Sequence, residues 1–111
     1  MSTQIGVMIN MTRVTKHAEK RMKERMNLNK SAKQKKADYV FENGICTNEA
    51  SGSLRKYFDW LFLHDPAGQI RIYGREVFIF LNDGTLKTVL PLLHRYNAAV
   101  DKILKNKKRL A

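Results

Sequence analysis

The chain has 111 residues, 43% of them apolar, with a single cysteine and a net charge of +11. That length fits one domain able to bury a core without staples, and a lone Cys46 excludes an intramolecular disulfide. No apolar run approaches the roughly 20 residues of a membrane span, and Met1 to Asn10 lacks the basic-then-apolar order of a secretory leader. The expectation is therefore a cytoplasmic protein with no membrane association.

Thr15 is placed to cap a helix running to about Met26, with Ala18, Met22 and Met26 as the buried stripe at i, i+4, i+8. His17, Arg21 and Arg25 stack beside that stripe on the border between core and solvent, while Lys16, Lys20, Lys23 and Glu24 take the far side. Asn27-Leu28-Asn29 interrupts the pattern. Ser31-Ala32-Lys33-Gln34 then reads as a capping box opening a second helix that buries Ala37, Val40 and Phe41. Asn43-Gly44 ends it, with Gly44 expected in the left-handed conformation. Ile45 to Gly52 reads as a loop and Ser53 to Phe58 as a short helical turn.

From there the period changes. Trp60-Leu61-Phe62-Leu63 is a short apolar run suited to a strand, followed by the turn Asp65-Pro66-Ala67-Gly68. Ile70 and Ile72 alternate with Arg71 and Tyr73, and Gly74-Arg75 turns the chain into Val77 to Leu81. That segment has no polar alternation, as expected of a central strand covered on both faces. Asn82-Asp83-Gly84 is a hairpin signal, Thr85 to Leu90 is the return strand, and Pro91 ends it. Asn97 to about Lys107 forms a last helix on Ala99, Val100, Ile103 and Leu104, with its lysines gathered where the helix dipole favours them. The expected fold is α+β: two N-terminal helices plus a short helix packed on a four-stranded antiparallel sheet, with a C-terminal helix on the other face or on an edge. The core spans about residues 13–105, with 1–10 and 106–111 as loose ends.

Charge is unevenly spread. Residues 13–36 carry ten Lys/Arg against Glu19 and Glu24, residues 37–93 are slightly acidic, and residues 94–109 carry six Lys/Arg against Asp101 alone. Two basic segments and a pI near 10.1 point to a polyanionic partner, because Lys and Arg that neutralise phosphates release condensed counterions. Nucleic acid, RNA before DNA, or a protein already loaded with nucleic acid, fits that pattern. The residues expected to contact it are Lys16, Lys20, Lys23, Lys33, Lys36, Arg75, Lys87, Lys102 and Lys105. An anionic membrane ranks below, since no Trp/Phe/Leu stripe faces these lysines.

No phosphate loop or glycine-rich dinucleotide turn exists, so no cofactor is implied. His17, His64 and His94 are scattered, and Asp59, Asp65 and Asp83 lack ligand spacing, which argues against a metal. Cys46 reads as an ordinary buried or loop thiol. What remains is metal-free acid/base chemistry on RNA. His17 titrates near neutrality and suits a general base or acid, and Arg21 and Arg25 can clamp a phosphate through bidentate forks. Tyr73, Arg75, Lys87, Thr88 and His94 are the polar groups on offer from the sheet and its end. The plainer alternatives are a surface His17, Arg21 and Arg25 paired with Glu24 or Glu42, and a Tyr73 ring resting on the core with its hydroxyl in water. Phe58, Trp60 and Phe62 could form a partner surface, but their burial in the core is the stronger expectation.

The string Thr15-Lys16-His17-Ala18-x-x-Arg21-Met22-x-x-Arg25, followed by a second helix ending in Asn43-Gly44-Ile45, resembles the opening of small bacterial and phage proteins of the RelE/barnase-like toxin superfamily. The resemblance implies two N-terminal helices on a four-stranded antiparallel sheet and either metal-independent ribonuclease activity or a non-enzymatic role. It maps the family's helical His and Arg onto His17 and Arg21 and its polar strand residue onto Thr88, or Lys87 if the register slips; with Arg25 as the second phosphate clamp these form the expected catalytic set. The basic C-terminal helix and the lack of a lysine cluster on the sheet depart from toxin-like members. Gln69-Ile70-Arg71-Ile72-Tyr73-Gly74-Arg75-Glu76-Val77 and Leu86-Lys87-Thr88-Val89-Leu90-Pro91 also look like uncharacterised prophage proteins of Gram-positive bacteria. That likeness implies a viral accessory role and specifies no reaction. With charge at both ends, the non-enzymatic alternative is a phage accessory protein that binds nucleic acid or inhibits a nucleic-acid-loaded host defence nuclease in the anti-CRISPR manner.

Overall fold

The structure, a computed structural model, describes residues 13–64, 66 and 68–110. In chain order these form β1 (Arg13–Val14), α1 (Lys16–Met26), α2 (Lys30–Asn43), a 3₁₀ turn (Thr47–Glu49), α3 (Gly52–His64), β2 (Gly68–Tyr73), β3 (Glu76–Leu81), β4 (Thr85–Pro91), a second 3₁₀ turn (His94–Tyr96) and α4 (Asn97–Leu110). The class is α+β. No helix among the described residues is long and apolar enough to cross a membrane. The expected loose N-terminus, residues 1–10, lies outside the described residues, as do two residues of the expected turn, Asp65 and Ala67.

The sheet runs β1-β4-β3-β2. Its antiparallel meander has three strands, not four. The fourth member is the two-residue β1, which pairs in parallel with β4 through Arg13↔Thr85 and Val14↔Leu86. The expected strand Trp60-Leu61-Phe62-Leu63 is instead the end of α3. A four-residue apolar run is ambiguous between strand and buried helix. The deciding pattern starts earlier: Leu54, Tyr57, Phe58 and Leu61 recur at i, i+3, i+4, i+7 and are all buried.

β3 is central and covered on both faces. Phe78 and Phe80, with Leu86 and Val89 of β4, pack beneath Ala18, Met22, Ala37 and Val40 of α1 and α2. Val77 and Ile79, with Ile70 and Ile72 of β2, pack beneath Leu54, Tyr57, Phe58 and Leu61 of α3 and Val100 of α4. The C-terminal helix thus covers the other face, and it continues to Leu110 where a loose end was expected from residue 106.

Thr15 joins the layers. Its Oγ1 accepts from the Ala18 amide at 3.1 Å as the α1 cap and donates to the Lys87 carbonyl at 3.1 Å, while its amide donates to the Leu86 carbonyl. The α2 cap is Asn29, whose side chain accepts from Ala32, so Ser31 lies one residue inside the helix and does not start it. Gly44 ends α2 with φ −67°, not in the left-handed region. Its lack of a side chain matters for space, since a Cβ there would lie 2.7 Å from the Val40 carbonyl oxygen and 2.9 Å from the Arg71 Cβ. The next residue, Ile45, bridges to Ile72 and partly covers the β2 edge.

Candidate nucleic-acid interface

α1 presents its basic residues to solvent. Lys16, His17, Lys20, Arg21 and Lys23 are exposed, because Ala18 and Met22 take the inward stripe. None of these five has an acidic partner among the described residues. Arg25 does: its Nη2 lies 3.3 Å from Oε2 of Glu76 at the start of β3, so its partner is neither Glu24 nor Glu42.

The expected catalytic set does not converge. Thr88 pairs with Ile79, whereas Leu86 pairs with Phe80, and the register shifts between Ile79 and Phe80. Directly opposed residues of an antiparallel pair share a face. Thr88 therefore lies on the face covered by α3 and α4, opposite to α1 and His17. The irregularity falls at Lys87, which the ladder skips; a bulge of this kind inserts one extra residue and turns the succeeding side chains to the other face. Lys87 is exposed and its carbonyl receives the Thr15 hydroxyl, so of the two strand candidates it is the one beside the start of α1.

Other expected contacts are divided by their pairing. Arg75 is neutralised: its guanidinium makes a bidentate pair with Asp101 at 2.8 and 2.9 Å. The same hydrogen bonds hold the Asp101 carboxyl below its usual range. Lys102 is exposed on α4 and Lys33 is half-buried on α2. Lys36 sits over the Tyr73 ring, 4.7 Å from its centroid.

The second basic segment reaches the end of α2 at the β2 edge, where Tyr73 carries Lys36 of the first. α2 and α4 cover opposite faces of the sheet, yet the end of α4 reaches past β2 to the end of α2. There Lys107 Nζ donates to the Gly44 carbonyl at 3.2 Å and pairs with Glu49 at 3.0 Å. Burial alone would raise the Glu49 pKa, but the Cys46 amide and the Lys107 ammonium outweigh it and hold the carboxyl below its usual value. Between the two helices lies a cleft of about 610 Å³, lined by Tyr39, Asn43, Tyr73, Leu104, Lys105, Lys107 and Lys108. Lys105 and Lys108 are exposed and have no acidic partner among the described residues.

Of these lining residues only Lys105 was expected as a contact, together with Tyr73 as a possible polar group. Tyr39 and Asn43 were missed. Their signal is the spacing Lys36, Tyr39, Asn43, which puts a cation, an aromatic and an amide on one face of α2 (i, i+3, i+7). The Tyr73 ring is half-buried and meets Tyr39 edge-on at 5.4 Å. The neighbouring Tyr39 hydroxyl, aided by burial, raises the Tyr73 pKa.

A second aromatic group lies on α3. Phe58 is buried and Phe62 packs on the core, but Trp60 is 51% exposed. Tyr57 stacks on Tyr96 at 4.5 Å, and Trp60 lies at 4.1 Å from His64. Among the described residues no cluster of His, Cys, Asp and Glu could hold a metal ion. Compared with family models, curated proteins and solved structures, the chain matches none.

Proposed function

We propose that this protein binds nucleic acid through the joined basic surfaces of α1, α2 and α4, and that binding, not cleavage, is its activity. The observation that carries the reading is the cleft at the β2 edge, which Lys105, Lys107 and Lys108 of α4 line and whose Tyr73 wall lies under Lys36 of the first basic segment. Charge that only kept the protein soluble would have no need of such convergence. The reading stops at binding because His17 and Thr88 lie on opposite sides of the sheet, so those two do not share a phosphate.

Salt titration tests it. Lys36, Lys105 and Lys108 alone would neutralise about three phosphates, so log K against log salt should fall with a slope of about −2 or steeper for a single strand. A flat plot rejects the reading. Incubation with total RNA in chelator is the second arm. Cleavage that disappears in His17→Ala would overturn the non-catalytic part and return the helix to the ribonuclease role.

A further inference from the structure

The cleft at the β2 edge has more in it than charge. Tyr39 is 50% exposed and packs against the Tyr73 ring in an edge-on contact with centroids 5.4 Å apart. One face of Tyr73 is already occupied by the Lys36 ammonium, so Tyr39 is the ring with surface to offer. Asn43, one turn further along α2, spends its Nδ2 on the Tyr39 carbonyl at 3.0 Å, which leaves Oδ1 to accept from a ligand. On the opposite wall Lys107 is spent on Gly44 and Glu49, whereas Lys105 and Lys108, a helical turn apart, are not. A packed aromatic, an amide acceptor and two ammonium groups with no acidic partner among the described residues, around a recess within the roughly 300–1,000 Å³ of small-ligand sites, match one chemistry. It is a nucleobase with its flanking phosphates.

We infer that this cleft takes an unstacked base of a single-stranded nucleic acid, with Tyr39 as the stacking surface, Asn43 on the base edge and Lys105 and Lys108 on the adjoining phosphates. The inference rests on the nucleic-acid reading above and adds the strandedness of the ligand. A duplex keeps its base faces against one another and offers the cleft only phosphate. Aromatic stacking accepts any base face, so the site discriminates single strand from duplex and not sequence from sequence.

Fluorescence anisotropy of the full chain with labelled oligouridylate, oligothymidylate, an abasic strand of equal length and a mixed-sequence duplex tests this directly. The expected result is tighter binding of both base-bearing single strands than of the abasic strand, by about tenfold. Tyr39→Ala should erase that difference while leaving duplex binding unchanged, and Tyr39→Phe should restore it, since the ring and not the hydroxyl does the stacking. Unequal binding of the uridylate and thymidylate would assign the site to RNA or to DNA. Equal affinity for abasic and base-bearing strands, or an unaltered preference in Tyr39→Ala, overturns the inference while leaving nucleic-acid binding in place. Failure of every probe to bind overturns both. Tyr39 is half-exposed, so its substitution should leave the fold intact, which circular dichroism checks on the same samples.

Discussion

Replacing Lys107 with methionine separates a lysine that shapes the cleft from lysines that bind in it. The substitution keeps most of the aliphatic stem and removes the ammonium that touches Gly44 and Glu49. Both partners of the ion pair are about a third exposed, at 31% and 32%, so that pair contributes roughly 0.5–1 kcal/mol. The buried Gly44 also loses a charged donor to its carbonyl, which among the described residues leaves the Cys46 thiol at 3.9 Å. That loss costs about 1 kcal/mol, at the low end because water can reach the site. A total near 1.5–2 kcal/mol corresponds to a fall in Tm of roughly 6–12 °C for a domain of this size. Thermal melts by circular dichroism measure it. The binding assay should divide the two lysines in the opposite order. Lys107 is already neutralised by Glu49, so its loss should leave the salt slope of nucleic-acid binding unchanged, whereas Lys105→Met should leave Tm alone and flatten the slope by about 0.7. A Lys107→Met protein that melts with the parent, or a Lys105→Met protein that melts as early, would refute the division between the two lysines.

Three more outcomes are expected from the contacts described. Gly44→Ala should destabilise by about 1–3 kcal/mol through overpacking against the Val40 carbonyl and Arg71. Gly52→Ala, at φ 58° with open space around it, should cost only the left-handed strain of about 1 kcal/mol; denaturant unfolding of both variants gives the order. Thr15→Val removes the α1 cap and the bond to the Lys87 carbonyl and should cost about 1–2 kcal/mol, while Thr15→Ser should retain most of it by the same measurement. The folded Glu49 carboxyl titrates below its ordinary value of 4.5, so its contribution is fully present above that pH and is lost as pH falls through the folded value. The Tm gap between the parent and Glu49→Gln should accordingly narrow on acidification below pH 4.5, and a gap that stays constant would contradict the pairing with Lys107.

How much of this was legible in the sequence depended on the range of the determining contacts. α1 could be read to the residue because its cap, its stripe and its termination are local: Thr15, then Ala18 and Met22, then Asn27 in the left-handed conformation at φ 52°. The β3–β4 hairpin was equally legible from Asn82-Asp83-Gly84, with Gly84 at φ 90° in the turn. Trp60 to Leu63 misled because four apolar residues in a row carry no period of their own, and the helical stripe that decides them begins at Leu54. The irregularity at Lys87 has no local signature, and it alone moves Thr88 to the far face. Gly44 was correctly singled out, but for the wrong property. Its reason lies at Arg71, 27 positions along the chain, and no pattern around Gly44 announces a neighbour so distant. Tyr39 went unnoticed as a site residue for a related cause: on its own helix it is one more half-exposed aromatic, and only Tyr73 and α4 turn it into a wall.

The opposed placement of α2 and α4 explains why the cleft forms at an edge and nowhere else. Helices on opposite faces of a sheet are kept apart by the sheet itself, so their side chains can meet only where the strands end laterally. β2 is that boundary, and Ile45 covers part of it. An exposed strand edge is a liability that proteins blunt with charge or with a covering segment, and here the end of α4 supplies both. Bringing so many ammonium groups to one place is unfavourable in the free protein, since like charges repel across the short distances of a cleft. Two of the charges that reach this region are relieved internally, Lys107 by Glu49 and Arg75 by Asp101, and those pairs fasten α4 at two points along its length. Among the described residues Lys105 and Lys108 have no such relief. A polyanion in the cleft would remove their repulsion as it binds, so occupancy and stability are coupled, and the Tm should rise with added single strand by the amount mass action requires. Added salt without a strand should raise it too, but only as far as screening weakens the repulsion. A ligand effect no larger than that of salt at equal ionic strength would mean that the unpaired lysines hold nothing.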